Sequence, residues 1–114
     1  MKTSYFGGLK KVKPPYYPVA ICRSIPKWYT GRVYQALAPT YAELNLPPDE
    51  FDAAYAARLA ALNPREVFEE LGENAVMICF EKPGEVCHRC AVAKWLEAAL
   101  GVSVPELTEP TLFD

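Results

Sequence analysis

Two short apolar runs constrain this chain more than anything else in it. Residues 19–22 (Val-Ala-Ile-Cys) follow Pro18, and residues 75–80 (Ala-Val-Met-Ile-Cys-Phe) end at Glu81-Lys82-Pro83-Gly84. Neither run alternates polar with apolar. A strand that is apolar on both sides must be covered on both faces, and central strands of parallel sheets are the common case. Residues 2–6 fit an edge strand, and Val102-Ser103-Val104 before Pro105 fits a short further one.

Between the runs the period is helical. Phe51, Tyr55, Leu59 and Leu62 recur with alanines between them, after Pro47 and Pro48. Asn63-Pro64-Arg65-Glu66 reads as a cap, a proline in the first turn and a supporting Glu. Val67, Phe68 and Leu71 face inward, and Gly72 stops that helix. A last helix is expected over residues 87–100, with Val92, Trp95 and Leu96 apolar and Gly101 closing it; residues 34–44 fit one more. The order predicts a small three-layer α/β domain over residues 1–104, Rossmann-like, with a mainly parallel sheet and flanking helices. Residues 105–114 read as an extended tail. A chain of 114 residues has room for one such domain.

No stretch approaches the roughly 18 apolar residues of a membrane helix. Residues 1–13 carry lysines with no apolar run behind them, so no signal peptide is expected and a cytoplasmic location is.

Charge is unevenly spread. Residues 1–35 hold Lys2, Lys10, Lys11, Lys13, Arg23, Lys27 and Arg32 with no Asp or Glu, while the whole chain is −2. Half of the aromatic residues, Trp28 and Tyr29 among them, lie in the same segment. Cations attract phosphate and aromatic faces stack on bases, which makes Lys10, Lys11, Lys13, Lys27, Trp28, Tyr29 and Arg32 candidates for nucleic-acid contact. The alternative is a solvated set of lysines over a core of aromatics, balanced by the acidic remainder.

Ligands of open parallel sheets gather beyond the carboxyl ends of the strands. The first run delivers Cys22, Arg23 and Ser24 there; the second delivers Cys79 and Glu81, then Cys87-His88-Arg89-Cys90 at a helix start. Free N–H groups at that start, with Arg23, Ser24 and Arg89, suit a phosphate or carboxylate. Cys87, His88 and Glu81 are the candidate catalytic groups, although adjacent Cys87 and His88 on a helix point about 100° apart. The alternative is that Arg89 pairs with Glu81 or Glu85 and His88 only caps. Cys87-x-x-Cys90 also has the spacing of a thiol-exchange or zinc pair, but only one such pair is present, and neither a metal nor a cofactor is assigned. Gly-rich phosphate loops, HExxH and GxSxG are absent.

Met77-Ile78-Cys79-Phe80-Glu81-Lys82, a short loop, then Cys87-His88-Arg89 resemble the family called domain of unknown function 488. Thr3-Ser4-Tyr5-Phe6 and Ile21-Cys22-Arg23-Ser24-Ile25-Pro26-Lys27-Trp28 are similar to the same family, so the resemblance spans roughly residues 3–107. It implies a small α/β protein whose site uses Arg23, Cys79, Glu81, Cys87, His88 and Arg89. Cys90 falls outside that pattern. The ending Glu109-Pro110-Thr111-Leu112-Phe113-Asp114 is similar to the Leu-Phe endings of peptides that bind the bacterial sliding clamp. Three readings follow: a protein binding or acting on a nucleotide or nucleic acid, a DNA-maintenance accessory docking through Leu112 and Phe113, or a thiol or zinc protein.

Overall fold

The two apolar runs become the two inner strands of a parallel sheet. The computed structural model describes residues 1–80 and 88–107. Its strands are β1 (Lys2–Tyr5), β2 (Tyr17–Ala20), β3 (Arg32–Val33) and β4 (Ala75–Cys79). Its α-helices are α1 (Tyr41–Leu44), α2 (Pro48–Ala60), α3 (Pro64–Leu71) and α4 (His88–Leu100), with 3-10 helices over Phe6–Lys11 and Gln35–Leu37. The strand order is β1-β4-β2-β3, and every pairing is parallel. All five residues of β4 are buried, as a strand apolar on both sides requires.

The α/β fold with a parallel sheet and flanking helices is as expected, but the two faces are covered differently. Val19, Ile21, Ala75 and Met77 point to one face and pack against apolar residues of α2, α3 and α4. Ala20, Val76 and Ile78 point to the other, where Phe6, Leu9 and Tyr16 of the N-terminal segment cover them. A 3-10 helix and loops thus do on one side what long helices do on the other.

Three expectations need correction. Residues 34–44 do not form one helix. Pro39 has no N–H to give, so the chain makes a 3-10 turn, passes Pro39 extended, and restarts at Thr40, whose hydroxyl accepts from the Glu43 N–H at 3.1 Å. Residues 102–104 are not a strand: the Val104 N–H donates to the Glu97 carboxylate at 2.8 Å rather than to a ladder. The domain also does not stop at residue 104. The Thr3 N–H donates to the Pro105 carbonyl at 3.0 Å and the Leu107 N–H to the Thr3 carbonyl at 2.7 Å, so residues 105–107 lie along the open edge of β1. That cover satisfies backbone groups an edge strand otherwise exposes.

The end of α3 is tied to the sheet. Asn63 caps its start, accepting from the N–H groups of Arg65 and Glu66. At its other end the Tyr17 hydroxyl donates to the Leu71 carbonyl. The Arg32 guanidinium donates to the carbonyls of Leu71 at 3.2 Å and Glu70 at 3.0 Å, a cation where the helix dipole is negative. Among the described residues no helix is long and apolar enough to cross a membrane.

Candidate functional site

The chain leaves β2 toward β3 on one side, whereas after β4 it passes through α4 to residues 105–107 beyond β1 on the other. Connections that part in opposite directions from neighbouring strands open a crevice at their carboxyl ends, the usual ligand position in such sheets. A pocket of about 260 Å³ lies there, lined by Cys22, Arg23, Ser24, Pro39, Leu44, Phe80 and His88. The two strands are in register up to Ala20 and Ile78, and the Ile21 N–H still reaches the Ile78 carbonyl at 3.0 Å. This is why residues 22–24 and Phe80 emerge side by side.

Each polar group of the pocket is held. The Arg23 side chain donates Nε–H to the Pro39 carbonyl at 2.9 Å and Nη2–H to the Ala38 carbonyl at 3.2 Å. Its partners are neutral oxygens, and among the described residues no carboxylate pairs with it. The Ser24 hydroxyl lies 3.1 Å from the Tyr41 hydroxyl. The Cys22 thiol points to the Ser24 carbonyl at 3.2 Å. His88 is buried, with Nε2 2.7 Å from the Ile21 carbonyl and its ring edge-on to Tyr55 at 5.6 Å. A carbonyl only accepts, so Nε2 carries the proton, and the ring is fixed against the exit of β2.

The pocket's outer wall is α1, a four-residue helix that could not persist alone. Glu43 anchors it, accepting from the Thr40 N–H at 2.7 Å and from Arg58 of α2 at 2.7 and 3.0 Å. Burial pushes the Glu43 carboxyl up, but hydrogen bonds from Arg58 and Thr40 outweigh it and hold the group below its usual 4.5. A depressed carboxylate stabilises the fold above the unfolded pKa, and that contribution fades as pH falls through the folded value. The wild type should therefore exceed Glu43→Gln in urea midpoint at pH 7, and the gap should close as pH falls below about 4.5. A gap independent of pH would show that the carboxylate does not anchor the wall.

Arg89 is not where the anion reading puts it. It is fully buried (0% exposed), and its Nε and Nη2 donate to the two Glu106 oxygens at 3.1 and 3.2 Å. Its Nη1 donates to the Cys79 sulfur at 2.7 Å, and the Thr3 hydroxyl donates to Glu106 at 2.7 Å. Among the described residues its carboxylate partner is Glu106, on the segment read as tail; Glu81 and Glu85, the partners considered from sequence, lie outside the described residues. A charge so enclosed holds the fold together and is absent from the pocket lining.

The basic aromatic segment also divides. Arg32 caps α3, and the hydroxyl of half-buried Tyr29 accepts from the Ala20 N–H at 3.1 Å and donates to the Arg32 carbonyl at 2.6 Å. Arg32 stays exposed and keeps its charge, since its partners are neutral carbonyls. Lys10, Lys13, Lys27 and Trp28 are exposed, and Lys11 is half-buried. Glu81 and Cys87, proposed from sequence as catalytic, and Leu112 and Phe113, proposed for docking, lie outside the described residues. Of the other cysteines, Cys22 and Cys79 are buried and Cys90 is exposed. Among the described residues no group of three or more His, Cys, Asp or Glu is placed to hold a metal ion.

Sequence reasoning missed Pro39, Leu44 and Phe80 as pocket groups, Glu106 as the partner of Arg89, and Thr3 as the partner of Glu106. Only Phe80 carried a signal, a large apolar residue just beyond a strand end. No family model, no curated protein and no solved structure matches the chain.

Proposed function

We propose that this crevice binds a phosphate-bearing ligand of mononucleotide size, and that the chain is a small nucleotide- or nucleic-acid-directed protein. The observation that carries this reading is Arg23. It is a half-buried guanidinium on a pocket wall, fixed by two carbonyls that neutralise none of its charge. Nη1 and one hydrogen of Nη2 are left to face a ligand, and arginine's fork matches phosphate oxygens. Ser24 adds a hydroxyl, and the exposed Phe80 and Leu44 give a flat group such as a base an apolar wall. The volume supports the size: about 260 Å³ is below the roughly 300–1,000 Å³ of pockets for larger ligands. Membership of the family whose pattern the chain resembles belongs to the same proposal; it is supported by residues 22–24 following β2, Cys79 closing β4 and His88 opening α4.

The test is binding of inorganic phosphate, thymidine monophosphate and a dinucleotide to the full chain at low salt. A charge-assisted hydrogen bond is worth about 1.5–3 kcal/mol, so Arg23→Gln should weaken the monophosphate roughly 10- to 150-fold. Arg23→Lys, which keeps the charge, should retain part of the affinity. Equal binding by wild type and Arg23→Gln overturns the reading.

A further inference from the structure

We infer that the crevice continues into a stacking platform for single-stranded nucleic acid, with Phe80 and Trp28 as its two faces. This deepens the pocket reading and rests on it for the phosphate site. Because the sheet is parallel, the segments leaving β1, β4 and β2 all emerge at one end, and each brings an aromatic ring there: Phe6, Phe80 and Trp28. Phe6 is buried and braces both others, 4.8 Å from Phe80 and 6.0 Å from Trp28. The Trp28 contact is edge-to-face at 87°, so the indole is steadied without being stacked inside the protein. Trp28 remains 62% exposed and Phe80 51% exposed. Phe80 also lines the pocket, which makes pocket and platform continuous.

Charge names the occupant. The segment that carries Phe6 and Trp28 has no acidic residue, and exposed Lys27 stands beside Trp28. Exposed Lys10 and Lys13 follow Phe6 along the chain. Exposed aromatic faces on a segment that carries these cations, with Arg23 in the adjoining pocket, offer what a single strand needs: stacking for its bases and positive charge for its backbone. A duplex has both faces of each internal base already occupied, so it cannot use the platform. An apolar peptide would use the rings but not the lysines.

The full chain is titrated at low salt with oligothymidylate, oligouridylate, a duplex of the same length and thymidine monophosphate, reading tryptophan fluorescence and anisotropy. Only Trp28 and the half-buried Trp95 emit. Single strands should quench the emission and bind more tightly than the monophosphate or the duplex, with affinity falling as salt rises. Trp28→Ala should weaken single-strand binding roughly 5- to 150-fold and leave the monophosphate unchanged. Trp28→Phe should keep most of the affinity. If the monophosphate binds through Arg23 while single strands bind no tighter and Trp28→Ala changes nothing, the platform is overturned and the pocket reading stands. Preference for the duplex also overturns the platform. If single strands need Trp28 but Arg23→Gln changes no binding, the pocket reading falls and the platform stands. Failure of every nucleic acid and of the monophosphate to bind overturns both.

Discussion

Arg89→Ala should destabilise the protein by about 3–5 kcal/mol in urea unfolding, the range seen when a buried ion pair loses one partner. The side chain is wholly enclosed, and a lone charge in such a place is untenable. The fold answers with a two-point grip from Glu106 and a contact to the Cys79 sulfur, while Thr3 orients the carboxylate. Alanine removes all of these and leaves a cavity as well. Arg89→Met fills the volume and should cost less. Glu106→Gln isolates the ion pair, and a double-mutant cycle with Arg89→Met should return a coupling of about 0.5–3 kcal/mol. Because Glu106 sits between residues 105 and 107, weakening the pair should also speed hydrogen exchange at the Leu107 amide, which now bonds Thr3. A coupling near zero would mean that the backbone bonds to Thr3, not the ion pair, hold this segment.

The crevice was legible because β2 and β4 announce themselves as uninterrupted apolar runs, and whatever follows such strands meets at one end of a parallel sheet. Cys22, Arg23, Ser24 and His88 were placed that way and do meet there. Arg89 belongs to the same string of residues, yet it turns inward. Spacing gives a residue's position on α4 but not the partner waiting for it, and Glu106 reaches it only because residues 105–107 return to β1. Nothing local foretells that return: the segment is short, begins with proline and has no strand pattern. The same limit hid β3, two exposed residues that pair with β2 but carry no apolar signal. Arg32 and Tyr29 show what spacing leaves out. Both read as surface for a polyanion, and the structure gives each a further task, holding carbonyl or amide groups of its neighbours. Trp28 stays open: its ring meets Phe6 edge-on and most of it is exposed.

Gly72→Ala should cost about 2–4 kcal/mol, although Gly72 is partly exposed and only one methyl is added. The sequence marks Gly72 as a helix stop, which a left-handed cap would explain with modest strain. Its backbone is more extreme: φ is +92° and ψ is 151°, a region essentially closed to residues with a side chain. Strain there is worth about 1–3 kcal/mol. A second cost comes from Tyr17. A methyl at position 72 would collide with the Tyr17 hydroxyl, which cannot swing away without releasing the Leu71 carbonyl. Giving up that bond adds about 1 kcal/mol. The two terms predict a fall in Tm of roughly 10 °C for a chain of this size. They are separable, because Tyr17→Phe removes the colliding atom and pays the hydrogen bond in advance. In the Tyr17→Phe/Gly72→Ala double variant only the backbone strain is left to add. Its loss should therefore be smaller than the sum of the two single losses. Strict additivity would place the whole cost in the backbone and show that Tyr17 yields freely, leaving the end of α3 to the Arg32 guanidinium alone.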